Sequence, residues 1–339
     1  MLARFLLHRL LFLPPLLLAV SFVTFLILYL TPGDPVRIML GEKATDPVAV
    51  EKMRTQLGLN DPFLVQFGRF VWRAAQGDLG RSLRTNRPIA EELSTRLPAT
   101  VEITVTALVF ALSLGLFSGI LAALKRSTIF DYGSMIVALA GVSIPVFWLA
   151  LLLNYYFGVV HPWLPLTDRL STGVEFQPIT QFYLLDSLLR LRFDVFWDAL
   201  RHILLPALTL GLIDSALIAR MTRSSLLEEL SQDYKRTGEA KGLGPGSLLW
   251  HVLRNALIPI VTIVGLQFGA LLGGAIITET IYSWPGVGTY LIHAILSRDI
   301  PAVQGTVLLL TTLFVLVNLA VDVTYTLVDP RVQYERLKD

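Results

Sequence analysis

Six long apolar stretches constrain this chain more than any other feature of its sequence. They are Leu10–Thr31, Ile103–Leu124, Tyr132–Val160, Ile203–Ala219, Ala256–Thr278 and Ala302–Val321. Only the fourth stretch contains an acidic or basic residue, Asp214. A hydrocarbon core about 30 Å thick is crossed by roughly 20 helical residues, so each stretch is a candidate transmembrane helix. The sequence therefore predicts an all-α integral membrane protein with six transmembrane helices.

The composition agrees with this prediction and excludes several classes of function. Charged residues make up 16% of the 339 residues, against about 25% in soluble domains, which indicates that lipid is the main solvent. A net charge of +2 gives no sign of a nucleic-acid partner. Because the chain has no cysteine, disulfides, thiolate metal sites and cysteine catalysis are excluded. The five histidines are scattered, so we predict no metal site.

The distribution of basic residues predicts the orientation of the chain. Lys and Arg cluster before the first stretch, after the second, after the fourth and at the C-terminus. With six spans these segments share one side, which we expect to be cytoplasmic, as are both termini. The predicted organisation is a first helix (1–31), an extracytoplasmic loop (32–98), a core of five further helices (99–328) and a cytoplasmic tail (329–339). The first stretch is too long for a signal-peptide core, so we expect it to be retained.

The long loop after the first span is predicted to contain short helices. Asp46–Leu57 has an N-capping aspartate, a proline at its first position and Gly58 as a terminator. Asp61–Ala75 repeats this pattern, and Pro88–Leu97 leads into the second span. Near the C-terminal end, we expect the apolar stretch Tyr290–Leu296 to dip back towards the membrane.

The polar segment between the fourth and fifth spans, residues 221–256, is predicted to form a helix–turn–helix. Apolar residues fall near one helical face from Leu226 to Tyr234, and a second apolar stripe follows the glycine-rich break at 242–246. Pro259 is expected to restart the chain into the fifth span. Two interpretations remain open from the pattern alone. The segment engages another protein, or it rests on lipid headgroups.

Several motifs carry a resemblance to a known family. DYKRTGEAKGLG is followed by HVLRNALIP within and just after the 221–256 segment. The other motifs, in chain order, are TPGDPV, GDLGRSL, RLPATVEI, SIPVFW, MTRSS, ETIYSWPGVG and DPR. They extend over nearly the whole chain, and together they are highly specific. The chain resembles permeases of ABC importers of the dipeptide and oligopeptide family, most closely the first permease of the dipeptide type.

The resemblance implies a type I importer permease fold and a role in a larger assembly. Such a chain pairs with a second homologous permease, two ATPase subunits and an extracytoplasmic peptide-binding protein in the bacterial cytoplasmic membrane. ATP and Mg bind to the ATPases, so no cofactor is expected on this chain. The resemblance places a short helix around Glu239–Leu243 in a groove of an ATPase. The implied coupling residues are Asp233, Tyr234, Arg236, Glu239, Ala240, Lys241, Gly242, Leu243, His251, Arg254 and Asn255.

One departure from the family pattern lies in this short helix. The family commonly has Ala-Arg-Ala-Lys-Gly-Leu where this chain has Gly238-Glu239-Ala240-Lys241-Gly242-Leu243. The change to Gly238 is expected to weaken the helix slightly and the change to Glu239 to alter its charge. Gly242 fits a tight turn or a close approach to a partner, or equally an ordinary helix terminator. His251 fits a solvated surface histidine as well as a coupling residue.

Four residues are candidates for the translocation pathway or its gate. Asp214 is costly in the bilayer and either faces the conduit or forms a hydrogen bond between helices. Gln267 lies among glycines that suit close helix packing, and a pathway role is the second interpretation. Glu279 and Trp284 flank the end of the fifth span, where they form a gate or an interfacial anchor.

The sequence contains no recognisable catalytic motif. The phosphate-binding pattern G-x-x-x-x-G-K-[ST] is absent, as are H-E-x-x-H and G-x-S-x-G. The chain is therefore predicted to be a non-catalytic membrane subunit. Two alternatives remain, a self-sufficient secondary transporter that uses Asp214 and, with less support, an intramembrane enzyme. Within the importer interpretation the substrate is a dipeptide, or alternatively an oligopeptide, glutathione, haem or a nickel complex.

Overall fold

The computed structural model describes residues 2–31, 35–40 and 46–328, and the regular structure in these ranges is helical. The helices are α1 (Leu2–Leu30), α2 (Pro35–Leu40), α3 (Pro47–Leu57), α4 (Phe63–Ala75), α5 (Ile89–Leu124), α6 (Ile129–Ser143), α7 (Val146–Asn154), α8 (Tyr183–Leu189), α9 (Phe193–Leu230), α10 (Asp233–Ala240), α11 (Pro245–Ile281), α12 (Val287–Leu296) and α13 (Ile300–Val328). The predicted cytoplasmic tail, 329–339, lies outside the described residues. The predicted all-α membrane fold is confirmed.

Among the residues that the structure describes, five helices are long and apolar enough to cross a membrane, and they contain five of the six predicted spans. Their apolar parts are Leu11–Leu30, Ile89–Leu124, Phe193–Leu230, Pro259–Ile281 and Ile300–Val321. The third predicted span, Tyr132–Val160, is not one continuous helix. Its first half is α6, and its second half is α7 followed by a π-helix over Tyr155–Val160. The two halves, Ile129–Ser143 and Val146–Val160, are bent against each other by 103°. The break falls at Ile144-Pro145 because a proline disfavours helical backbone in the residue before it.

The chain divides into two compact units. One unit is formed mainly by Val101–Trp284, and the other by Ala3–Thr100 and Pro285–Val315. In the first unit α9 is the central element and packs against α6, α7, α8 and α11. Because α9 is buried on several sides, it contributes many of the fully buried side chains of this unit.

Glycines allow α5 to approach α9 closely. A Cβ atom at Gly119 would lie 2.6 Å from the carbonyl oxygen of Ala219, and one at Gly211 would lie 2.6 Å from that of Ala107. Gly115, one helical turn before Gly119, faces Ile218 in the same way. Small residues spaced four apart let helices pack backbone to backbone in membranes. A side chain at any of these three positions would push the two helices apart.

A buried ion pair holds the loop between α7 and α8 against α5. Glu102 is 7% exposed and Arg169 is 6% exposed. Arg169 donates to the Glu102 carboxylate at 2.5 Å and to the Gln181 carbonyl at 2.9 Å, while the Leu184 amide donates to the other Glu102 oxygen at 2.7 Å. The Arg169 guanidinium also lies 3.6 Å from the centre of the Tyr183 ring. Glu102 therefore organises a loop that follows it by more than sixty positions in the sequence.

The second unit confirms most of the short helices predicted for the long loop. Asp46 accepts a hydrogen bond from the Val48 amide at the start of α3, and Gly58 adopts a left-handed backbone at its end. The helix predicted over Asp61–Ala75 begins one residue later than predicted, with Pro62 rather than Asp61 at its N-cap. The predicted third short helix is not separate, because α5 runs without interruption from Ile89.

Hydrogen bonds join distant parts of the second unit. The Ser82 hydroxyl donates to the buried carboxylate of Asp299 at 2.5 Å. The Asp299 carboxylate also accepts from the Ala302 amide at 3.2 Å, near the start of α13. The Val287 amide donates to the Thr100 hydroxyl at 2.9 Å at the start of α12. The apolar stretch predicted at Tyr290–Leu296 is thus a helix fixed at its N-terminal end.

Replacing Glu102 with Gln is expected to destabilise the protein by about 3–5 kcal/mol, because it leaves the buried Arg169 charge without its carboxylate. Thermal unfolding in detergent, followed by fluorescence-detected size-exclusion chromatography, measures the effect. Asp194→Asn breaks an exposed ion pair with Arg192 and serves as the control, with little change expected. Equal midpoint temperatures of unfolding for Glu102→Gln and Asp194→Asn would contradict the structural role of Glu102.

Candidate functional site

The 221–256 segment forms a helical turn between two long helices. α9 extends to Leu230, the short helix α10 follows, and α11 begins at Pro245. The helix–turn–helix predicted for this segment is confirmed. Pro259 does not restart the chain, since α11 passes through it as one helix of 37 residues. The short helix that the resemblance placed around Glu239–Leu243 lies earlier in the sequence, at Asp233–Ala240.

Gly242 ends α10 in a Schellman motif. Its own amide donates to the Glu239 carbonyl at 3.0 Å, and the Leu243 amide donates to the Gly238 carbonyl at 3.1 Å. This pair of bonds requires a left-handed residue after the helix, and Gly242 has φ +80°. A Cβ atom at Gly242 would meet no heavy atom within 4 Å. The position therefore demands glycine for its backbone conformation and leaves open space around it.

A buried apolar cluster anchors the turn to the membrane helices. Its fully buried members are Ala123 of α5, Leu226 of α9, and Val252 and Ala256 of α11. Tyr234 of α10 packs against this cluster. The apolar stripe predicted from Leu226 to Tyr234 is therefore the anchoring face of the segment.

Tyr234 also has a polar anchor. Its hydroxyl donates to the Glu229 carboxylate at 2.6 Å. The pKa of Tyr234 is raised to about 12, chiefly by burial and then by the bond to Glu229, against a smaller lowering by a hydrogen bond with Asn255. The Tyr234 hydroxyl therefore stays protonated and continues to donate its hydrogen bond to Glu229 through the physiological pH range. Asn255 and Tyr234, both predicted coupling residues, are thus brought together.

The other predicted coupling residues lie on the exposed face of the turn. They are Asp233, Arg236, Glu239, Ala240, Lys241, Gly242, Leu243, His251, Arg254 and Asn255. Lys235 lies 3.7 Å from Glu239 one helical turn later, so part of this charge is paired along α10. The exposed face is polar and shaped by a fixed turn, which suits docking into a groove of another protein.

The sequence-based prediction missed Trp250 and did not foresee the packing role of Gly238. Trp250 is 65% exposed on α11, and an exposed tryptophan beside a docking turn is a common anchor at interfaces. Gly238 is buried, and a Cβ atom there would lie 2.9 Å from Leu248 and 3.2 Å from Leu243. The glycine predicted to weaken α10 thus also allows it to pack closely on the start of α11.

A bidentate ion pair lies near the same end of α9. Arg223, in the MTRSS motif, donates to both carboxylate oxygens of Asp131 at the start of α6. Asp131 is buried and also accepts from the Ser127 amide at 2.9 Å. The short loop after α5 is thereby attached to α9 close to where the turn begins. This pairing could not be predicted from a local sequence pattern, because 92 positions separate the two residues.

Two of the predicted pathway residues form a direct hydrogen bond. Gln267 of α11 donates to Asp214 of α9 at 2.6 Å. Asp214 is 7% exposed, and its second oxygen has no partner among the described residues. The close packing predicted around Gln267 is seen at Gly265, where a Cβ atom would lie 2.1 Å from Val321. The observed contact is a hydrogen bond between helices, one of the two roles considered for Asp214.

Glu279 and Trp284 are both fully buried within the first unit. Glu279 has no exposed surface, and Trp284 is 1% exposed. The Trp284 amide donates to the Glu279 carbonyl at 2.8 Å, which closes the turn after α11. The Arg169 guanidinium lies 5.6 Å from the Trp284 ring. These two residues thus lie beside the ion pair that organises the loop between α7 and α8.

Replacing Gln267 with Leu is expected to destabilise the protein by about 1–3 kcal/mol, because it removes a donor from a buried carboxylate. The double variant Asp214→Leu with Gln267→Leu removes both partners and should recover most of this loss. Thermal unfolding measures stability, and uptake of a labelled dipeptide tests the pathway role separately. A double variant as unstable as Gln267→Leu would contradict the structural bond, whereas a stable double variant without uptake would add a pathway role.

Comparison with known proteins gives matches along the whole chain. A family model described as a binding-protein-dependent transport system inner membrane component matches residues 115–334. A model described as the N-terminal part of a binding-protein-dependent transport system membrane component matches residues 1–104.

Individual relatives match over nearly their full length. The chain is 48% identical to the dipeptide transport system permease protein DppB of Alkalihalophilus pseudofirmus, over 96% of this chain and 98% of the relative. It is 47% identical to the di/tripeptide transport system permease protein DppB of Pseudomonas aeruginosa, over 98% and 99%. Identity to the dipeptide transport system permease protein DppB of Escherichia coli K12 is 43%, over 98% and 99%. The resemblance identified from the sequence motifs is confirmed.

Proposed function

Because this chain belongs to the family of binding-protein-dependent transport system inner membrane components, we propose that it is the dipeptide-translocating permease subunit of an ATP-driven importer. The observation that carries this proposal is the near-complete coverage of relatives that are named for dipeptide transport. A match over 98% of this chain brings every helix and the 221–256 segment within the comparison. Dipeptides are the favoured substrate, and di- and tripeptides are the next class.

The proposed orientation places the 221–256 segment in the cytoplasm of the bacterial cell, together with both termini. Lys125 and Arg126 follow α5, and Arg220 and Arg223 lie near the end of α9. This concentration of basic residues at the ends of spans supports a cytoplasmic position. The loops that contain α3, α4 and α8 then face the extracytoplasmic side, where a peptide-binding protein would deliver substrate.

The proposed mechanism transmits force through two continuous helices. α9 and α11 each extend from the α10 turn into the apolar region, with 38 and 37 residues. At 1.5 Å per residue, Asp214 lies about 24 Å along α9 from Leu230. The buried anchor around Leu226 and Val252 prevents the turn from moving independently of these helices. Movement of a bound ATPase would therefore displace α9 and α11 together.

The proposed roles of the subunits are based on the absence of a phosphate-binding loop motif in this sequence. ATP and Mg would bind to two partner ATPase subunits, which supply the energy of hydrolysis. This chain would supply half of the conduit, with a second homologous permease as the other half. Asp214 and Gln267 would lie on the helices that rearrange during alternating access.

Affinity purification of the tagged full-length chain in mild detergent should recover a second permease and ATPase subunits. Mass spectrometry identifies the co-purifying proteins, and ATP-dependent dipeptide uptake by the reconstituted assembly tests the substrate. Uptake that needs an ion gradient but neither ATP nor a second subunit would contradict the proposal. That result would favour a self-sufficient transporter.

Substituting Gly242 tests the proposed coupling surface. A Cβ atom at position 242 meets no heavy atom within 4 Å, so Gly242→Trp places its bulk in the open space where a partner would dock. We expect ATP hydrolysis to continue without dipeptide uptake in this variant. Gly242→Ala destabilises the turn by about 1–2 kcal/mol through the left-handed backbone alone. Comparison with this variant therefore separates the effect of backbone strain from the effect of side-chain size. Gly242→Asn tolerates this backbone and should retain most uptake. Normal uptake by Gly242→Trp would contradict the coupling role.

A further inference from the structure

The second unit contains a large cavity that the proposed transport function does not use. It has a volume of about 750 Å³ and lies among the end of α1, the helices α3 and α4, residues 78–86 and the start of α13. Tyr29, Phe70, Arg73, Arg81 and Gln304 are among the residues that line it. All of these elements belong to the same compact unit.

The lining of this cavity is positively charged. It contains four arginines, Arg54, Arg69, Arg73 and Arg81, and a single acidic residue, Asp78. Arg73 donates to Asp78 at 2.8 Å through its Nε atom, and Arg81 donates to the Asn86 carbonyl at 2.8 Å. A guanidinium carries five N–H donors, so these bonds occupy only part of each side chain. Arg69 is paired with Asp61 and Arg73 with Asp78, so it is the remaining donors and net positive charge of the lining that favour an anionic ligand with several acceptor oxygens.

A buried amide adds a donor at the base of the cavity. Gln304 lines the cavity near the start of α13 and is 6% exposed. Its Nε2 atom has no hydrogen-bond partner within the described part of the chain. A buried amide without an acceptor is unfavourable, and native proteins rarely leave one in that state. An anionic oxygen inside the cavity would supply the acceptor.

The position of α4 places the cavity at the level of lipid headgroups. Phe63 and Phe67 of α4 contact Phe22 and Phe25 of α1 edge to face, with ring centres 5.2–5.7 Å apart. These α1 residues lie within the apolar span Leu11–Leu30, so α4 lies along a membrane helix. Leu64, Val65 and Trp72 of α4 are exposed. An amphipathic helix with a tryptophan on its apolar face is typical of a membrane interface.

We propose that this cavity binds the phosphate headgroup of an anionic phospholipid, with its acyl chains along the exposed apolar faces of α1 and α4. Arg73, Arg81 and Gln304 donate hydrogen bonds to the phosphate oxygens. The adjoining apolar surface selects a membrane lipid over free phosphate. The leaflet follows from the proposed orientation and is the extracytoplasmic one, while lipid binding itself is independent of the transport function.

Native mass spectrometry of the affinity-purified, delipidated assembly tests this site. The assembly is titrated with phosphatidylglycerol and, separately, with phosphatidylcholine of the same acyl chains. Arg81→Gln should weaken phosphatidylglycerol binding about fivefold, the effect of one basic residue near an anionic headgroup, and Gln304→Leu should also weaken it, because it removes a buried donor. Arg84→Gln removes the same charge from the same turn but does not line the cavity, and it should bind as wild type.

Equal losses for Arg81→Gln and Arg84→Gln would overturn the proposal, as would equal binding of the two lipids. Unchanged phosphatidylglycerol binding with weaker capture of the peptide-binding protein would also overturn it and assign the cavity to that partner. If Gln304→Leu does not fold, Arg81→Gln decides the outcome. These readouts do not depend on uptake, so they remain informative if the proposed transport function is wrong.

A thiol-labelling experiment tests the membrane position of α4. The chain has no cysteine, so Trp72→Cys introduces the only thiol of this chain. In proteoliposomes, Trp72→Cys should react at least about tenfold more slowly with a water-soluble maleimide than Lys52→Cys on α3, because lipid keeps the thiol protonated and inaccessible. Equal labelling rates would place α4 in water and overturn the lipid assignment.

Discussion

The hydrocarbon core of a bilayer offers no hydrogen-bonding groups, so a charge carried among apolar helices depends on a partner inside the protein. Three such contacts organise the first unit. Glu102 with Arg169 holds the loop before α8, Asp131 with Arg223 attaches the loop before α6 to α9, and Gln267 donates to Asp214 between α9 and α11. Each contact joins elements that are distant in sequence. The polar residues within the apolar helices therefore fix which helices are neighbours.

Close backbone packing depends on the same low-polarity surroundings. Between apolar helices there is little hydrophobic driving force in a bilayer, so contact area and short distances dominate. Gly115, Gly119 and Gly211 bring α5 and α9 together, and Gly265 accommodates Val321. This packing places α9 at the centre of the unit. The helix that leads to the α10 turn, α9, therefore contacts α5, α6, α7, α8 and α11 directly.

The α10 turn combines a rigid interior with an open exterior. The Schellman motif at Gly242 and the contact between Tyr234 and Glu229 fix its backbone and one side chain, while most of its charged residues remain exposed. Such a surface is preorganised, so a partner would lose little conformational entropy on binding. This is the physical basis of the proposed coupling. In the second unit, Arg73 and Arg81 are likewise held by hydrogen bonds beside the cavity, and the ligand proposed there is an anionic lipid headgroup.

The sequence by itself determined the features that depend on local chemistry. Apolar length predicted the membrane helices, Asp46 and Gly58 predicted both ends of α3, and Gly242 predicted a turn. The motifs distributed along nearly the whole chain predicted the family. Only the tertiary structure decided that Asp214 and Gln267 are partners, that Gly238 is buried, and that the third span is bent by 103°. Capping and span length depend on neighbouring residues, whereas pairing and burial depend on residues that only folding brings together.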